Sequence, residues 1–335
     1  MLKATIKQVA AEAEVSTATV SRVLNCSLKV SDEARLRVNE AIAKLHYEPS
    51  AIARSLKQDK TYMIGIIVPD ITNPYFMEIS KGIEDTVGQC GFQLMFCSSD
   101  ENNDKEGRLL QLLNEKRVDA VVIATAGGNG AKIASMSRSG LPVVLIDRSL
   151  EGGEDLESLD LVAENNAEGA FMLTKRLLED GHTALGVVNG PSSVSTGRER
   201  LEGVLRAMRE WGIEEPLHIY NGDFTIQGGI RAVRRFWQAE HKPTAIISLN
   251  NRMTFGVLLE LVRSGLNIPS DVAIASFGEV EAGQLLKRPK LYYIDQQPYV
   301  MGRRTGELLL SRINKQDDRV YPHLERFSHQ IKCIQ

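Results

Sequence analysis

The sequence predicts a two-part molecule: a small all-α head, then an α/β body of two parallel-sheet lobes. Residues 5–45 place apolar side chains at helical spacing in three short stretches, whereas short β-branched runs alternate with amphipathic stretches from Thr61 onward. A length of 335 residues accommodates two or three domains. Charge is uneven, because residues 1–60 carry ten basic and seven acidic side chains while the rest carry 30 and 36. A basic head on an acidic body indicates a module that meets a polyanion.

The three predicted helices of the head each have one apolar stripe. The first stripe is Ile6, Val9, Ala10 and Ala13; the second is Val20, Val23 and Leu24; the third is Val38, Ala41, Ile42 and Leu45. Ser16 and Ser31 are suitable N-caps for the second and third helices. Two short helices joined by a tight turn, with a third as support, form a helix-turn-helix pattern. The spacing alone leaves two alternatives open: a DNA reader, or a three-helix bundle with a solvated polar face.

The residues of the head also carry a family resemblance. The segments ATIKQVAAEAEVSTATVSRVLN and VSDEARLRVNEAIAKLHYEPSAIARSLK closely resemble the head of the lactose/purine repressor family, the LacI/GalR-type transcriptional regulators, almost continuously over residues 4–57. The resemblance implies that Thr17, Ala18 and Arg22 read bases in the major groove. It places five further side chains near the phosphates, namely Thr5, Ser16, Thr19, Ser21 and Asn25. Two departures are Glu14 and Cys26, which stand where the family often has Gly.

Residues 50–57, SAIARSLK, resemble the hinge helix of that family. A segment this short does not hold a helix by itself, because nucleation is costly. In the family, paired hinge helices form in the minor groove, which implies DNA contacts for Ala53, Leu56 and Lys57, with Leu56 wedged between base pairs. The alternative is a plain linker. Ordering the hinge costs roughly 1–2 kcal/mol per residue in backbone entropy, so this segment is suited to act as a switch.

In the body, nine apolar runs predict strands and the stretches between them predict helices. The runs are residues 63–68, 92–97, 120–124, 143–147, 184–188, 217–220, 245–249, 272–277 and 291–294. Strands that alternate with helices predict parallel sheets, and nine strands exceed one modest sheet. Two α/β lobes are therefore expected, with a ligand cleft at the carboxyl ends of the strands.

The body resembles the same family in segments such as IGIIVPDITNPYF, LPVVLIDR and IPSDVAIASFG. The resemblance implies a fold similar to periplasmic sugar-binding proteins, with crossovers near residues 162, 292 and 322. It implies an effector site at Tyr75, Phe76, Asp100, Asp147, Thr196, Arg200, Phe224, Asn251, Gly278 and Gln296. Several of these have structural alternatives: Arg200 as a partner of a neighbouring Glu, Phe224 as core, and Asp147 as a turn cap.

Two of these positions depart from many sugar-binding members of the family. Asn251 and Gly278 stand where those members carry Asp. Losing two carboxylates lowers the repulsion of an anion, and an Arg at position 200 can clamp a carboxylate or phosphate. We therefore expect a sugar phosphate or sugar acid as effector.

Other chemistries find little support in the sequence. The four cysteines are scattered with no CxxC pair, which argues against a zinc site or a disulfide framework. GGNG at 127–130 lacks the GK[ST] ending of a phosphate loop, and GxSxG and HExxH motifs are absent. We expect no enzymatic activity, cofactor or metal. No signal peptide or membrane span is apparent, so the expected location is the cytoplasm.

The combined prediction is a dimeric transcriptional repressor of carbohydrate metabolism genes that binds a pseudo-palindromic operator in double-stranded DNA under effector control. The alternative is a cytosolic carbohydrate sensor acting through a protein partner. The expected domains are 1–49 (head), 50–60 (hinge) and 61–335 (effector-binding and dimerisation core). Within the core, the N-lobe is expected at 61–162 and 293–321, and the C-lobe at 163–292 and 322–335.

Overall fold

The structure is a computed structural model that describes residues 5–24, 31–45, 47, 60–150, 152, 158–286, 290–314 and 322–334. The side chains of Ile6, Ser21, Arg22, Leu24 and Asp32 lie outside this description. The chain forms two compact units, Met1–Tyr62 and Met63–Gln335, which are the head and the body. The hinge predicted at residues 50–60 falls, apart from its last residue, outside the described residues.

The head contains helices α1 (Ile6–Glu12), α2 (Thr17–Leu24) and α3 (Asp32–Lys44). Their facing sides form one apolar core of Val9, Ala10, Ala13, Val20, Val23, Val38 and Ala41. Each predicted stripe contributes to this core, because helical spacing puts its members on one face. Ser16 and Ser31 cap α2 and α3 as expected, accepting hydrogen bonds from the N–H groups of Thr19 and Ala34.

The body alternates strands and helices along the chain. Its strands are β1 (Met63–Val68), β2 (Gln93–Ser98), β3 (Ala120–Ile123), β4 (Val143–Ile146), β5 (Asp160–Glu164), β6 (Leu185–Asn189), β7 (His218–Asn221), β8 (Ala245–Ser248), β9 (Ala273–Ser276), β10 (Leu291–Asp295), β11 (Leu324–Phe327) and β12 (Gln330–Ile334). Its helices are α4 (Pro74–Val87), α5 (Asn103–Glu115), α6 (Gly130–Arg138), α7 (Asn166–Glu179), α8 (Ser195–Glu210), α9 (Ile226–Gln238), α10 (Asn251–Arg263) and α11 (Pro298–Ile313).

These strands form two six-stranded sheets, one in each lobe. The first has the order β11-β5-β4-β3-β1-β2 and is parallel throughout. The second has the order β12-β10-β9-β8-β6-β7, in which only β12 is antiparallel to its neighbour. The central strands are buried on both faces, which explains their continuous apolar runs. The predicted fold class, a helical head with a body of two parallel-sheet lobes, is confirmed.

The chain crosses between the lobes three times, slightly later than expected. The first crossing follows β5, at residue 165, and the second follows β10, at residues 296–297, rather than near 162 and 292. The third lies at residues 328–329, because β11 pairs with β5 in the first sheet. The assignment of residues 322–327 to the C-lobe is therefore wrong, as is the start of the N-lobe segment at 293. The cause is that strands β5, β10 and β11 each run to their sheet's carboxyl edge before the chain turns.

Close helix packing depends on small residues at the contact between α4 and α11. A Cβ on Gly302 would lie 2.0 Å from the carbonyl oxygen of Ile79, and one on Gly82 would lie 2.3 Å from that of Tyr299. The two backbones therefore touch directly. Among the described residues, no helix is both long and apolar enough to cross a membrane.

Candidate DNA-binding head and candidate effector cleft

The turn between α1 and α2 is built by three consecutive local features. The N-cap Thr5 starts α1 with a capping box, in which its side chain and that of Gln8 bind each other's backbone N–H groups. After α1, Glu14 adopts a positive φ of 51°, which is the conformation that makes Gly common at this turn position. Ser16 then starts α2. The chain thus forms a helix-turn-helix with a non-Gly residue in the left-handed region.

The start of α2 presents polar and small side chains to the surface of the head. Ser16, Thr17 and Ala18 are exposed and Thr19 is half-buried, as is required of residues that contact DNA. Thr5 is also exposed. The backbones of Ser21 and Arg22 belong to α2. The remaining predicted DNA contacts, Asn25, Ala53, Leu56 and Lys57, lie outside the described residues.

A cavity of about 350 Å³ lies between the two lobes of the body, at the carboxyl ends of strands from both sheets. Parallel strands direct the loops that follow them to this edge, so side chains distant in sequence converge there. The lining residues are Pro69, Asp70, Asn73, Tyr75, Phe76, Asp100, Glu101, Asp147, Arg148, Thr196, Arg200, Asp223, Phe224, Thr225, Asn250, Asn251 and Gln296.

The cavity brings together nine of the ten residues expected at the effector site; Gly278 is the exception. Gly278 lies directly behind the lining, because a Cβ there would be 2.3 Å from Oε1 of Gln296. Its φ is 97°, so a side chain at this position is disfavoured by the backbone as well as by space. An Asp at this position, as carried by many members of the family that the sequence resembles, would strain the backbone and displace the Gln296 side chain.

Two buried arginines, Arg148 and Arg200, line the cleft. Arg200 donates from Nε to Oδ1 of Asn166 (2.8 Å) and from Nη1 to the carbonyl of Leu249 (2.9 Å). Its Nη2 lies 3.6 Å from Oδ1 of Asp147. Arg148 is held by Glu101, with hydrogen bonds of 2.7 and 2.6 Å to the two carboxylate oxygens. Arg148 is therefore neutralised, whereas Arg200 keeps an Nη2 group outside close hydrogen-bond distance of Asp147.

A hydrogen-bonded carboxyl network lies beneath the cavity. The Tyr75 hydroxyl is 3.1 Å from Oδ1 of Asp147 and 3.4 Å from Oε1 of Glu164. Gln296 donates from Nε2 to Oε2 of Glu164 (2.9 Å). Burial raises the pKa of Glu164 to about 8, against the attraction of Arg200 and the hydrogen bond from Gln296. Burial, with the nearby Asp147 and Glu164 charges, also raises the pKa of Tyr75 well above 10.

Aromatic rings form two walls of the cleft. Tyr75 and Phe76 stand edge to face, with centroids 5.1 Å apart. Phe224 is in the opposite lobe, and the guanidinium of Arg148 lies 5.2 Å from its ring centroid. Phe224 has a φ of 58°, a conformation that costs energy in a bulky residue and fixes the ring against Gly190. Such walls suit the apolar face of a ring-shaped ligand.

The N-terminus of α8 points its first turn at the same cavity. Thr196 is the second residue of this 16-residue helix, and its buried Oγ1 has no hydrogen-bond partner among the described residues. Arg200 follows one turn later on the same face. A helix N-terminus favours negative charge, so Thr196 and Arg200 together form an arrangement suited to an anionic group.

Two of the predicted site residues, Asn251 and Asp100, bind polar side chains of the same chain at the cleft. Asn251 exchanges amide hydrogen bonds with Asn73 across the cleft. Asp100 lies at the rim, where it accepts from the Ser98 hydroxyl at 2.6 Å and pairs with Lys105. These contacts lower the pKa of Asp100, first through the hydrogen bond from Lys105 and then through that from Ser98.

Sequence reasoning missed eight of the lining residues. Five residues that it missed, in the lining or behind it, form hydrogen bonds or ion pairs described above: Asn73, Glu101, Arg148, Glu164 and Asn166. A usable signal existed for two of them. Arg148 directly follows Asp147 at the end of a buried strand, and Glu164 is a charged residue that ends the buried run DLVAE. For the others, only the three-dimensional arrangement reveals the role, because their partners are remote in sequence.

Two family models match the chain and together cover most of it. The model described as "Bacterial regulatory proteins, lacI family" matches residues 5–50, and "Periplasmic binding proteins and sugar binding domain of LacI family" matches residues 61–324. The chain is 36% identical over 312 residues to the HTH-type transcriptional repressor PurR of Aliivibrio salmonicida (strain LFI1238), an alignment that covers 92% of each protein.

Solved structures show the same architecture. The transcriptional regulator CelR in complex with cellobiose is similar with a TM-score of 0.73 and 27% identity, covering 98% of each chain. The lac repressor dimer bound to operator and the anti-inducer ONPF has a TM-score of 0.85 at 21% identity, covering 99% of this chain and 98% of that one. The second likeness concerns the fold alone.

Proposed function

Because the chain belongs to the LacI family of bacterial regulatory proteins, we propose that it is a sequence-specific DNA-binding transcriptional repressor controlled by a small effector bound between the lobes. One observation carries the proposal: a helix-turn-helix head and a two-lobed body with a buried polar cleft occur in one chain. A catalytic role has no comparable support from the motifs of the sequence.

The DNA partner is a pseudo-palindromic operator read by a homodimer. Three short helices offer only a small contact area, so a two-fold dimer with two half-sites gives the affinity that a single head lacks. Thr17, Ala18 and Arg22 are the base-reading residues in this proposal, and Thr5, Ser16, Thr19, Ser21 and Asn25 contact the phosphates. Leu56 is the minor-groove wedge, with Ala53 and Lys57 beside it.

The effector is a carbohydrate derivative that carries a negative charge, a sugar phosphate or a sugar acid. Thr196 Oγ1 and Arg200 Nη2 face the cleft from α8 and favour an anion. Asp147 supplies an acceptor for sugar hydroxyls, and Phe76 and Phe224 supply apolar walls. The CelR complex contains a sugar, cellobiose, which supports a carbohydrate class. Carbohydrate metabolism genes are the corresponding targets.

Control of DNA binding arises from coupling between the cleft and the hinge. An effector that binds one lobe arrangement more tightly shifts the population toward it, typically with about 1–3 kcal/mol of coupling. That shift stabilises or prevents folding of residues 50–57, whose ordering is costly. Operator retention measured with and without effector distinguishes induction from corepression.

The test compares the full chain with residues 61–335 alone. Both are incubated with random double-stranded DNA, and the retained sequences are determined. The full chain is expected to select one pseudo-palindrome, and the shortened chain is expected to select none. Specific retention by the shortened chain would contradict the assignment of DNA reading to the head. Selection of no sequence by either chain would favour the sensor that acts through a protein partner. Titration with glucose, glucose 6-phosphate and gluconate then tests the effector class. Tighter binding of glucose would contradict an anionic effector.

A further inference from the structure

Glu164 is a buried carboxyl group at the floor of the cleft. It ends β5 immediately before the first crossing between the lobes, and it is fully buried. Its Oε2 accepts a hydrogen bond from Gln296, whose side chain lines the cavity. Glu164 itself does not line the cavity, so its influence on a ligand passes through Gln296, Tyr75 and Arg200.

The hydroxyl of Tyr75 has one proton for two carboxyl oxygens. Asp147 Oδ1 and Glu164 Oε1 lie 3.1 and 3.4 Å from Tyr75 Oη. If both carboxyls were ionised, one of these oxygens would face the hydroxyl without a proton between them. A proton on Glu164 completes the chain, because Glu164 then donates to Tyr75 and Tyr75 donates to Asp147. Buried polar groups are rarely left unpaired, so the geometry favours the protonated form.

The charges around Glu164 act in opposite directions: Arg200 favours its ionised form and Asp147 opposes it, so burial decides the protonation state. The groups facing it are Tyr75 of α4, Asp147 after β4, Arg200 of α8 and Gln296 after β10. Around them, Arg148 pairs with Glu101, Glu199 accepts from Asn166, and His329 lies near Arg200. Arg200 already faces one carboxylate, Asp147. A second ionised carboxyl beside the same guanidinium would repel an incoming anion.

We expect Glu164 to titrate in a pH range in which binding can be measured. Burial raises the pKa of Glu164 to about 8. Burial lowers the pKa of the nearby His329 to about 4, and the pKa of Tyr75 lies well above 10. Neither group titrates between pH 7 and 9. A phosphate monoester, with a second pKa near 6, is about nine-tenths dianionic at pH 7 and almost entirely so at pH 9.

We propose that Glu164 is a specificity-determining residue whose protonated carboxyl leaves Arg200 available to an anionic effector, so that binding of the anion is coupled to binding of a proton. The proposal rests on the effector class proposed above. When Glu164 is ionised, it supplies to Arg200 the negative charge that the anionic ligand supplies when Glu164 is protonated. The effector and the ionised form of Glu164 therefore compete for the positive charge of Arg200, which acts on Glu164 electrostatically.

The test is calorimetric titration of the full chain with glucose 6-phosphate, fructose 1-phosphate and gluconate at pH 7, 8 and 9. We expect affinity to fall roughly tenfold from pH 7 to pH 9, as the protonated fraction of a group with a pKa near 8 falls. Proton uptake, measured in two buffers of different ionisation enthalpy, should rise toward one per site at pH 9. In Glu164→Gln the affinity should stay near its pH 7 value at every pH. Glu168→Gln, a half-buried control on α7, should behave as the unmodified chain.

A second measurement needs no ligand. A carboxyl with a raised native pKa contributes stability at low pH that is lost as pH rises through about 8, since ionising it costs the folded state. The unfolding temperature of Glu164→Gln relative to the unmodified chain should therefore rise from pH 6 to pH 9. If the unfolding temperatures of the two proteins change in parallel with pH, Glu164 does not carry the proposed proton. Equal affinity at pH 7 and 9, or an unchanged pH dependence in Glu164→Gln, would overturn the coupling alone. If none of the three probes binds at pH 7, 8 or 9, the proposed effector class is wrong, and so is the coupling.

Discussion

Asn73 and Asn251 form a reciprocal pair of amide hydrogen bonds across the cleft. Asn251 Nδ2 donates to Asn73 Oδ1 at 2.9 Å, and Asn73 Nδ2 donates to Asn251 Oδ1 at 3.3 Å. Asn73 caps α4 and Asn251 is the first residue of α10, so the pair joins two helix starts in opposite lobes. The contact can form only when the lobes are close together, so we expect Asn251 to favour closure as well as to contact the ligand.

Asn251→Ala is expected to weaken effector binding by favouring the open arrangement. The change removes two hydrogen bonds that are made across the cleft, worth roughly 1–2 kcal/mol together, or about 5- to 30-fold in affinity. Small-angle scattering of the effector-free body should show a larger radius of gyration. We choose Asn251 because Asn73 also caps α4, and replacing it would confuse the two effects.

The control for this variant is Asn114→Ala, an exposed position on α5. It should leave both the affinity and the radius unchanged. An Asn251→Ala protein that binds effector as tightly as the unmodified chain would show that the amide pair does not contribute to closure.

Arg200→Lys is expected to abolish the effector response while preserving DNA binding. Lysine keeps the charge facing Asp147 but cannot donate to Asn166 and Leu249 while presenting a third group to the ligand. Loss of a charged hydrogen bond of about 1.5–3 kcal/mol corresponds to roughly 10- to 150-fold weaker effector binding. Fluorescence-monitored titration measures the affinity, and operator retention with and without effector measures the response.

A matched substitution on the same helix is Arg206→Lys, which alters a half-buried surface pair with Glu168. It should change neither quantity. A normal response in Arg200→Lys would exclude Arg200 from the site.

Gly302→Ala is expected to destabilise the N-lobe. The added Cβ would lie 2.0 Å from the Ile79 carbonyl oxygen, so α4 and α11 must separate, at a cost of roughly 1–3 kcal/mol. Gly88→Ala is the opposite case, because Gly88 has a helical φ of −60° and open space around it. It should stabilise by about 0.4–1 kcal/mol. Thermal unfolding midpoints should shift in opposite directions, and shifts of the same sign would contradict the packing argument.

The central strands could be predicted from sequence because burial on both faces leaves a continuous apolar run. All nine predicted strands occur in the structure, with boundaries shifted by at most a few residues. Strands β5, β11 and β12 were missed for a physical reason. β5 has Asp160 and Glu164 at its ends, and Asp160 is compensated by a remote Arg312. β11 and β12 are edge strands with alternating exposure and no apolar run.

For the cleft, the sequence indicated most of the predicted residues that line the cavity, but not the residues behind them that fix their side chains by hydrogen bonds. Phe224 and Arg200 belong to recognisable segments, whereas Glu164 and Asn166 act through side chains far along the chain. The correct interpretation of Asn251 needed the position of Asn73, 178 residues away. Hydrogen bonds between side chains that are distant in the sequence form only in the folded chain, so no local sequence pattern predicts them.

Arg22→Ala is expected to remove operator preference without removing all DNA binding. Arg22 lies on α2, the helix whose exposed start carries Thr17 and Ala18, and an arginine here can bind guanine O6 and N7 together. Such a contact discriminates by about 1–3 kcal/mol per base pair, and a symmetric dimer loses it in both half-sites. Phosphate contacts remain, so salt-dependent binding to random DNA should persist.

The control is Arg37→Ala, which removes an exposed arginine of α3 and so tests the effect of losing one positive charge in each head. Gel retardation of operator and random duplexes at two salt concentrations separates the outcomes: Arg37→Ala should keep the ratio of the two affinities. An Arg22→Ala protein with that ratio unchanged would show that another residue reads the base.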